Sequence, residues 1–205
     1  MKFLFSDYGL GAGVATDLVN TAPLVRRSTG EVLVDPAALE RFLTEHEVRS
    51  EALTRDGRPS GEDLDGVLML RQEIRALLET TAEDDVVSGA TALVMRAGVG
   101  PILHRDAEGH WQWHVATAPD ATLADELAVL TGAGLLGALR TLGHDRFRSC
   151  TSPDCEGMFV DTSRAGRRRY CMPEVCGNRL NVANYRARQQ GRGKGPTTRP
   201  RTTGR

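Results

Sequence analysis

Residues 150–179 read CTSPDCEGMFVDTSRAGRRRYCMPEVCGNR, and this stretch contains all four cysteines of the chain. The cysteines form two pairs of identical spacing, with four residues inside each pair and fifteen between the pairs. Two pairs at this separation are typical of a tetrahedral Zn²⁺ site with four thiolate ligands. We therefore predict one zinc ion held by Cys150, Cys155, Cys171 and Cys176.

The same stretch has too few apolar side chains to form a hydrophobic core by itself. Its sizeable apolar residues between the first and the last cysteine are Met158, Phe159, Val160, Tyr170, Met172 and Val175. Metal ligation can supply the missing stability, since structural zinc contributes on the order of 10–16 kcal/mol in small fingers. Because four thiolates leave no open position for water, we predict a structural rather than a catalytic ion.

Two other uses of the cysteines remain open at this point. Disulfides would also staple the segment, but Asp7 interrupts the first apolar run too early for a secretory signal. This favours the cytoplasm, where disulfides are uncommon. A redox-active pair would more usually have two residues between its cysteines rather than four.

The overall charge of −1 hides a strong asymmetry along the chain. Residues 146–205 contain 14 Lys and Arg against 4 Asp and Glu, whereas residues 1–145 contain 12 against 23. A basic C-terminal part of this kind favours an anionic partner, although a solvated basic tail is the simpler alternative. The chain has no apolar run long enough to span a membrane, and we expect no membrane partner.

The N-terminal part is predicted to be α+β and mostly helical. Helices are predicted over residues 34–48, 62–82, 86–95 and 120–142, and a β-hairpin over 100–116. Near the start, KFLF favours a strand, GLGAG a flexible turn, and GVATDLVNTA a short helix; TRDGRPSG at 54–61 is typical of a linker. The histidines at 104, 110 and 114 lack the spacing of a known metal site, which favours surface or packing roles.

A helix is predicted to begin close to the last cysteine, Cys176, because Leu180, Ala183 and Ala187 would share one helical face. This arrangement is treble-clef-like. Arginine side chains bind phosphates and form specific hydrogen bonds with guanine. We therefore predict nucleic-acid contacts for seven arginines: Arg164, Arg167, Arg168, Arg169, Arg179, Arg186 and Arg188. Three neighbours are candidates either for base reading or for supporting the metal ligands: Asn178, Asn181 and Tyr185. Residues 191–205 have no hydrophobic side chain to bury and are predicted to form a disordered basic tail.

Two family resemblances follow from short motifs. CGNR at 176–179, VANYRAR at 182–188 and the preceding FVDTSRAGRRRYC together resemble the CGNR zinc-finger family of bacterial proteins. DLVNT at 17–21 resembles a motif near the start of the ABATE domain, its usual N-terminal companion. The resemblance implies a DNA-binding transcription regulator with zinc on the four cysteines and a stress-responsive regulatory domain.

The sequence therefore predicts an ABATE-like domain at 1–144, a CGNR zinc finger at 145–190 and a tail at 191–205. DNA is the expected partner, with a homodimer and a small-molecule effector of the N-terminal domain as further expectations. The chain lacks a nucleophile–base constellation and a complete phosphate loop, so we expect no enzyme. The alternative is a zinc-dependent protein- or RNA-interaction module, including one that docks on the chain's own acidic domain.

Overall fold

The computed structural model describes residues 1–4 and 6–177, and over these residues the chain forms six α-helices and five β-strands. The helices are α1 (Tyr8–Val19), α2 (Pro36–Glu45), α3 (Glu51–Asp56), α4 (Gly61–Glu79), α5 (Glu83–Met95) and α6 (Leu123–Leu142). The strands are β1 (Lys2–Leu4), β2 (Gly98–Arg105), β3 (Trp111–Thr117), β4 (Phe147–Ser149) and β5 (Met158–Val160). The predicted α+β class with a mostly helical N-terminal part is confirmed.

Helix α6 lies at the centre of the N-terminal part, where it packs against α1, α4 and α5. Its residues Leu127, Leu130 and Leu135 are buried. Thr122 starts the helix by accepting a hydrogen bond from the Asp125 N–H, and Gly143 ends it with a φ of 87°. A long apolar helix capped at both ends thus organises the core.

Helix α1 corrects the prediction of a flexible turn at GLGAG, because Gly9, Gly11 and Gly13 all lie inside it. Gly11 packs directly against Gly134 of α6, and a Cβ added at Gly11 would lie 2.9 Å from the Gly134 Cα. The missing side chain lets the two helix backbones approach closely. Here a glycine-rich run serves helix packing rather than chain flexibility.

Helix α2 lies within the predicted range 34–48, and its cap sets where it begins. Asp35 accepts a 2.7 Å hydrogen bond from the Ala38 N–H, and Pro36 opens the helix. In α4, the Ser60 hydroxyl accepts from the Asp63 N–H while the Asp63 carboxylate accepts from the Ser60 N–H, which forms a reciprocal capping box.

Helix α3 was not predicted, since TRDGRPSG indicates a linker. Ser50 caps this short helix by accepting a 3.0 Å hydrogen bond from the Leu53 N–H, and Ala52 is buried. The linker prediction is therefore wrong over the first residues of the stretch. Local capping and burial of one side outweigh the turn-forming residues that follow.

The predicted hairpin consists of β2 and β3, and β1 pairs with the other edge of β3. All pairings are antiparallel, with Leu103 opposite Trp113 and Phe3 opposite Val115. Val115 at the base of the hairpin is buried, whereas Trp111 and Trp113 are more than half exposed. The hairpin is thus anchored at its base and extends into solvent.

The short β4–β5 ladder carries the first cysteine pair on the loop between its strands, and β5 packs on α1 and α4. Met158 and Val160 of β5 belong to the same hydrophobic core as the helices. One core therefore runs from the helical part into the cysteine-containing part. The domain boundary at 144/145 stays a prediction, and the predicted helix after Cys176 and the predicted tail lie outside the described residues.

Candidate metal centre and its arginine-rich loop

The four cysteines converge on one point, as predicted, with all four Sγ atoms within 4.8 Å of one another. Cys155, Cys171 and Cys176 form a triangle with Sγ–Sγ distances of 3.6, 3.7 and 3.8 Å. A zinc–sulfur bond of about 2.3 Å in tetrahedral geometry places the sulfurs about 3.8 Å apart. All four cysteines are free, so the donor set fits a metal ion and the disulfide alternative is not realised.

Backbone hydrogen bonds shape the two turns that present the sulfurs. The Cys150 N–H donates to the Gly157 carbonyl at 2.7 Å, which closes the first loop, and the Cys176 N–H donates to the Met172 carbonyl at 2.8 Å in the second. The Ser152 hydroxyl donates to the Cys176 carbonyl at 3.3 Å and so joins the two turns. Each pair of cysteines is therefore held by its own turn.

The protonation of the thiols follows from their surroundings. Burial, reinforced by the charge of neighbouring thiolates, raises the pKa of Cys171, and burial also raises the pKa of Cys176 to about 11. Burial opposes ionisation of Cys150 too, but backbone N–H groups of Cys171 and Ser152 donate to its sulfur and lower its pKa. Burying several sulfurs together thus disfavours multiple negative charges, which a bound cation would neutralise.

The loop between the two cysteine pairs is organised around Asp161, whose side chain is fully buried. One carboxylate oxygen accepts from the Ser163 N–H at 3.0 Å and from the Ser163 hydroxyl, and the other accepts from the Arg168 N–H at 2.9 Å and from the Arg148 guanidinium at 3.1 Å. Burial opposes ionisation, but these hydrogen bonds and the Arg148 charge outweigh it and lower the pKa of Asp161. A buried carboxylate therefore fixes the path of the loop.

The arginines of this loop divide into two groups. Arg164, Arg167 and Arg169 are exposed. Arg168 is half-buried: its guanidinium donates to the carbonyl oxygens of Tyr170 and Cys171 and lies 4.8 Å from the centre of the Phe159 ring. Its backbone and side chain are thus engaged in supporting the loop, whereas the other three side chains are exposed, and the Arg169 guanidinium lies 6.0 Å from the centre of the Tyr170 ring.

The remaining sequence-predicted contacts lie outside the described residues. These are Arg179, Arg186 and Arg188, together with Asn178, Asn181 and Tyr185. Their assignment to nucleic acid or to support of the ligands stays a prediction.

Sequence reasoning missed the residues of the helical part that touch the metal centre. Asn20 at the end of α1 is buried and hydrogen-bonds both the N–H and the carbonyl of Met158 in β5. Val25 is buried in a small second cluster with Cys150, Phe159, Cys171 and Cys176. The motif DLVNT at 17–21 was the one sequence feature that drew attention to Asn20. A motif match alone does not say what the asparagine contacts.

The other residues of DLVNT join helices to one another. Asp17 contacts the His46 ring at 3.0 Å, and Leu18 and Val19 are fully buried. The Thr21 hydroxyl accepts a 3.0 Å hydrogen bond from Arg71, a buried arginine of α4 that also forms a two-bond ion pair with Glu31. Through these contacts, the residues of the motif connect α1 with α2, α4 and β5.

Two protein-family models match the chain. The CGNR zinc-finger model matches residues 146–189, and the ABATE model, described as "Putative stress-induced transcription regulator", matches residues 12–142. The protein belongs to the ABATE family and carries a CGNR zinc-finger segment after the ABATE region. Both resemblances inferred from the motifs are confirmed.

Two further findings bear on the class of protein. No curated protein matches the chain. Among the helices within residues 1–4 and 6–177, none combines the length and the apolar character needed to cross a bilayer.

Proposed function

We propose that this protein is a DNA-binding transcription regulator in which a structural Zn²⁺ ion on Cys150, Cys155, Cys171 and Cys176 holds an arginine-rich surface. One observation carries the proposal: Arg164, Arg167 and Arg169 are exposed on a loop that Asp161 fixes beside the cysteine cluster. Three arginines on one loop of fixed backbone path can meet several phosphates at once.

The charge distribution favours one side of the molecule for this contact. The C-terminal part carries the excess of arginine, and residues 1–145 carry 23 acidic against 12 basic side chains. A duplex would be attracted to the finger and repelled by the helical body. The family description of ABATE as a transcription regulator supports the same partner class.

Sequence preference would come from the segment that follows Cys176. We assign base or phosphate contacts there to Arg179, Arg186 and Arg188, with Asn178, Asn181 and Tyr185 as base-reading or ligand-supporting neighbours. Arginine and asparagine make the bidentate contacts that distinguish guanine and adenine in the major groove. The same proposal gives the protein no enzymatic activity and a cytoplasmic location.

The helical body would then carry the regulatory input, as an effector site, a dimer contact or both. A cleft of about 800 Å³ lies between β1, the start of α1 and the end of α2. Its lining combines the apolar Leu10 and Leu43 with the charged Lys2, Glu47 and Arg49. This mixture suits a small polar ligand with an apolar portion.

The second candidate is a zinc-dependent module that binds RNA or an acidic protein surface, including the chain's own acidic helices. The charge difference between the two parts of the chain favours it. The two candidates differ in how the helical body acts. Intramolecular docking predicts that raising the salt concentration first increases nucleic-acid binding, because the internal contact is released, before screening weakens it.

The test is an equilibrium titration of labelled 30-base-pair duplex DNA, the matching RNA duplex and single-stranded DNA with zinc-loaded and chelator-treated full-length protein. The proposal predicts tightest binding to duplex DNA, loss of that binding without metal, and a steady fall of affinity with salt. Preference for RNA, or metal-independent binding, would contradict it. A parallel titration with the double variant R167A/R169A should show weaker binding to duplex DNA in a fully folded protein.

A further inference from the structure

Side chains of helix α1 form hydrogen bonds with the backbone of strand β5. The Asn20 amide donates to the Met158 carbonyl at 2.7 Å, and its oxygen accepts from the Met158 N–H at 3.2 Å. The same amide also donates to the Thr16 carbonyl at 2.7 Å, so its orientation is set from within the helix. Asn20 therefore occupies the place that a neighbouring strand would take on this edge of β5.

Thr16, one helical turn before Asn20, forms a second hydrogen bond with β5. Its hydroxyl oxygen accepts a 3.0 Å hydrogen bond from the Val160 N–H, and the side chain is buried. Thr16 and Asn20 are four residues apart, which places them on one face of α1, as Met158 and Val160 are on one edge of β5. Helix and strand thus meet in a single register.

Strand β5 directly follows the loop that carries the first cysteine pair. Gly157 precedes Met158, and its carbonyl accepts from the Cys150 N–H at 2.7 Å. A Cβ at Gly157 would lie 2.8 Å from both the Asn20 amide oxygen and the Cys171 Cβ. The first cysteine loop is thus packed between the α1 amide and a cysteine of the second pair, with no free space.

Two further contacts join the same regions. Val25, just after α1, is buried against the cysteines and Phe159. Arg27 forms a 2.7 Å ion pair with Glu156 of the first cysteine loop, although both side chains are about half exposed and this pair adds little by itself. The buried amide and hydroxyl contacts are the specific ones.

We propose that Thr16 and Asn20 of α1 are positioning residues for the four-cysteine metal site, holding β5 so that the first cysteine pair faces the second. The inference rests on the proposed metal site and goes beyond it, because it assigns part of the support of the zinc finger to the ABATE region. Groups of this kind outside the ligand set change metal affinity by about 10–100-fold when they are removed.

Linkage requires the effect to run in both directions. If α1 supports the site, a bound metal must also stabilise the contact between α1 and β5. The amide protons of Met158 and Val160 should therefore exchange with solvent more slowly in the metal-loaded protein than in the metal-free protein. A merely structural contact, independent of the site, would leave their exchange unchanged.

The experiment measures Zn²⁺ affinity of the full-length protein by competition with a chromogenic chelator. Thr16→Val keeps the size of the side chain and removes the acceptor for the Val160 N–H, and Asn20→Asp removes both amide donors while keeping an acceptor. Ser60→Ala is the matched control, since it removes hydrogen bonds at the exposed start of α4 without touching β5.

We expect Thr16→Val and Asn20→Asp to weaken Zn²⁺ binding at least tenfold, with Ser60→Ala within twofold of wild type. Equal affinities in all four proteins would overturn the inference, as would unchanged exchange at Met158 and Val160 when metal is removed. Should Asn20→Asp fail to fold, Thr16→Val and the exchange measurement decide. Failure of the wild-type protein to bind Zn²⁺ would instead overturn the metal site itself.

Discussion

Gly11 of α1 and Gly134 of α6 meet where the two helices cross, and a Cβ at Gly11 would lie 2.9 Å from the Gly134 Cα. Gly11→Ala should therefore force the helices apart and lower the free energy of unfolding by about 2–3 kcal/mol. Gly13→Ala, two residues away in the same helix, meets nothing within 4 Å. It should be neutral or stabilise by about 0.5–1 kcal/mol through helix propensity. Urea denaturation of both variants checks this, and equal effects would contradict the crossing.

Asp161 and Arg148 form a hydrogen-bonded ion pair in which the carboxylate is fully buried. Asp161→Asn leaves an amide opposite N–H donors and should lower the free energy of unfolding by about 2–3 kcal/mol. Since the pKa of Asp161 is lowered in the fold, its contribution is present above its unfolded pKa of about 3.9 and is lost as the pH falls through the folded value. Asp145→Asn, at an exposed partner of Arg148, should change stability by less than about 0.5 kcal/mol. If chemical denaturation showed a larger loss of unfolding free energy for Asp145→Asn than for Asp161→Asn, Asp161 would not be the residue that fixes the loop.

His46 joins α2 to Asp17 of the DLVNT motif. The hydrogen bond to Asp17 raises the pKa of His46, against the opposing effect of burial, and the other ring nitrogen contacts the Phe42 carbonyl. A raised pKa means that the stabilisation is full below about pH 6.5 and is lost as the pH rises through the folded pKa. His46→Gln should therefore cost more stability at pH 5.5 than at pH 8.5. An NMR titration of His46 gives the pKa directly, and a midpoint below 6.5 would contradict the prediction.

Gly157 lies between Asn20 and Cys171. Gly157→Ala inserts a methyl group against the Cys171 Sγ and 2.8 Å from the Asn20 oxygen, and it should weaken Zn²⁺ binding about tenfold or more in the chelator competition. Gly61→Ala, where a Cβ meets nothing within 4 Å, is the control and should bind Zn²⁺ like wild type. Wild-type affinity in Gly157→Ala would show that the first cysteine loop tolerates displacement.

Arg168 should differ from its two neighbours when replaced by alanine. Arg168→Ala removes bonds to the Tyr170 and Cys171 carbonyls and should lower thermal stability. Arg167→Ala and Arg169→Ala should leave stability unchanged and reduce the slope of log affinity against log salt by about 1 each on duplex DNA. Thermal melts and salt titrations separate these effects. If Arg168→Ala reduced the slope of log affinity against log salt without lowering thermal stability, Arg168 would be a phosphate contact rather than a support of the loop.

The cysteine spacing and the helices α2, α4 and α6 were readable from the sequence because each depends on neighbours within a few residues. The helical state of GLGAG was not, since it depends on Gly134, more than a hundred residues away. The contact of Asn20 with Met158 spans 138 positions and leaves no periodic pattern. Asp161 likewise gives no local indication of burial, because its donors come from Arg148, Ser163 and Arg168, on both sides of it in the chain.

A metal-dependent arginine surface that binds duplex DNA with sequence preference is the proposal on which the other functional predictions depend. The most direct measurement is selection of bound fragments from random duplex DNA by zinc-loaded full-length protein, at near-physiological salt with competitor DNA present. We expect a defined motif that disappears when the metal is chelated. Recovery of no sequence beyond background, from protein with one bound Zn²⁺ per chain, would contradict it and assign the basic surface to RNA, protein or the chain's own acidic helices.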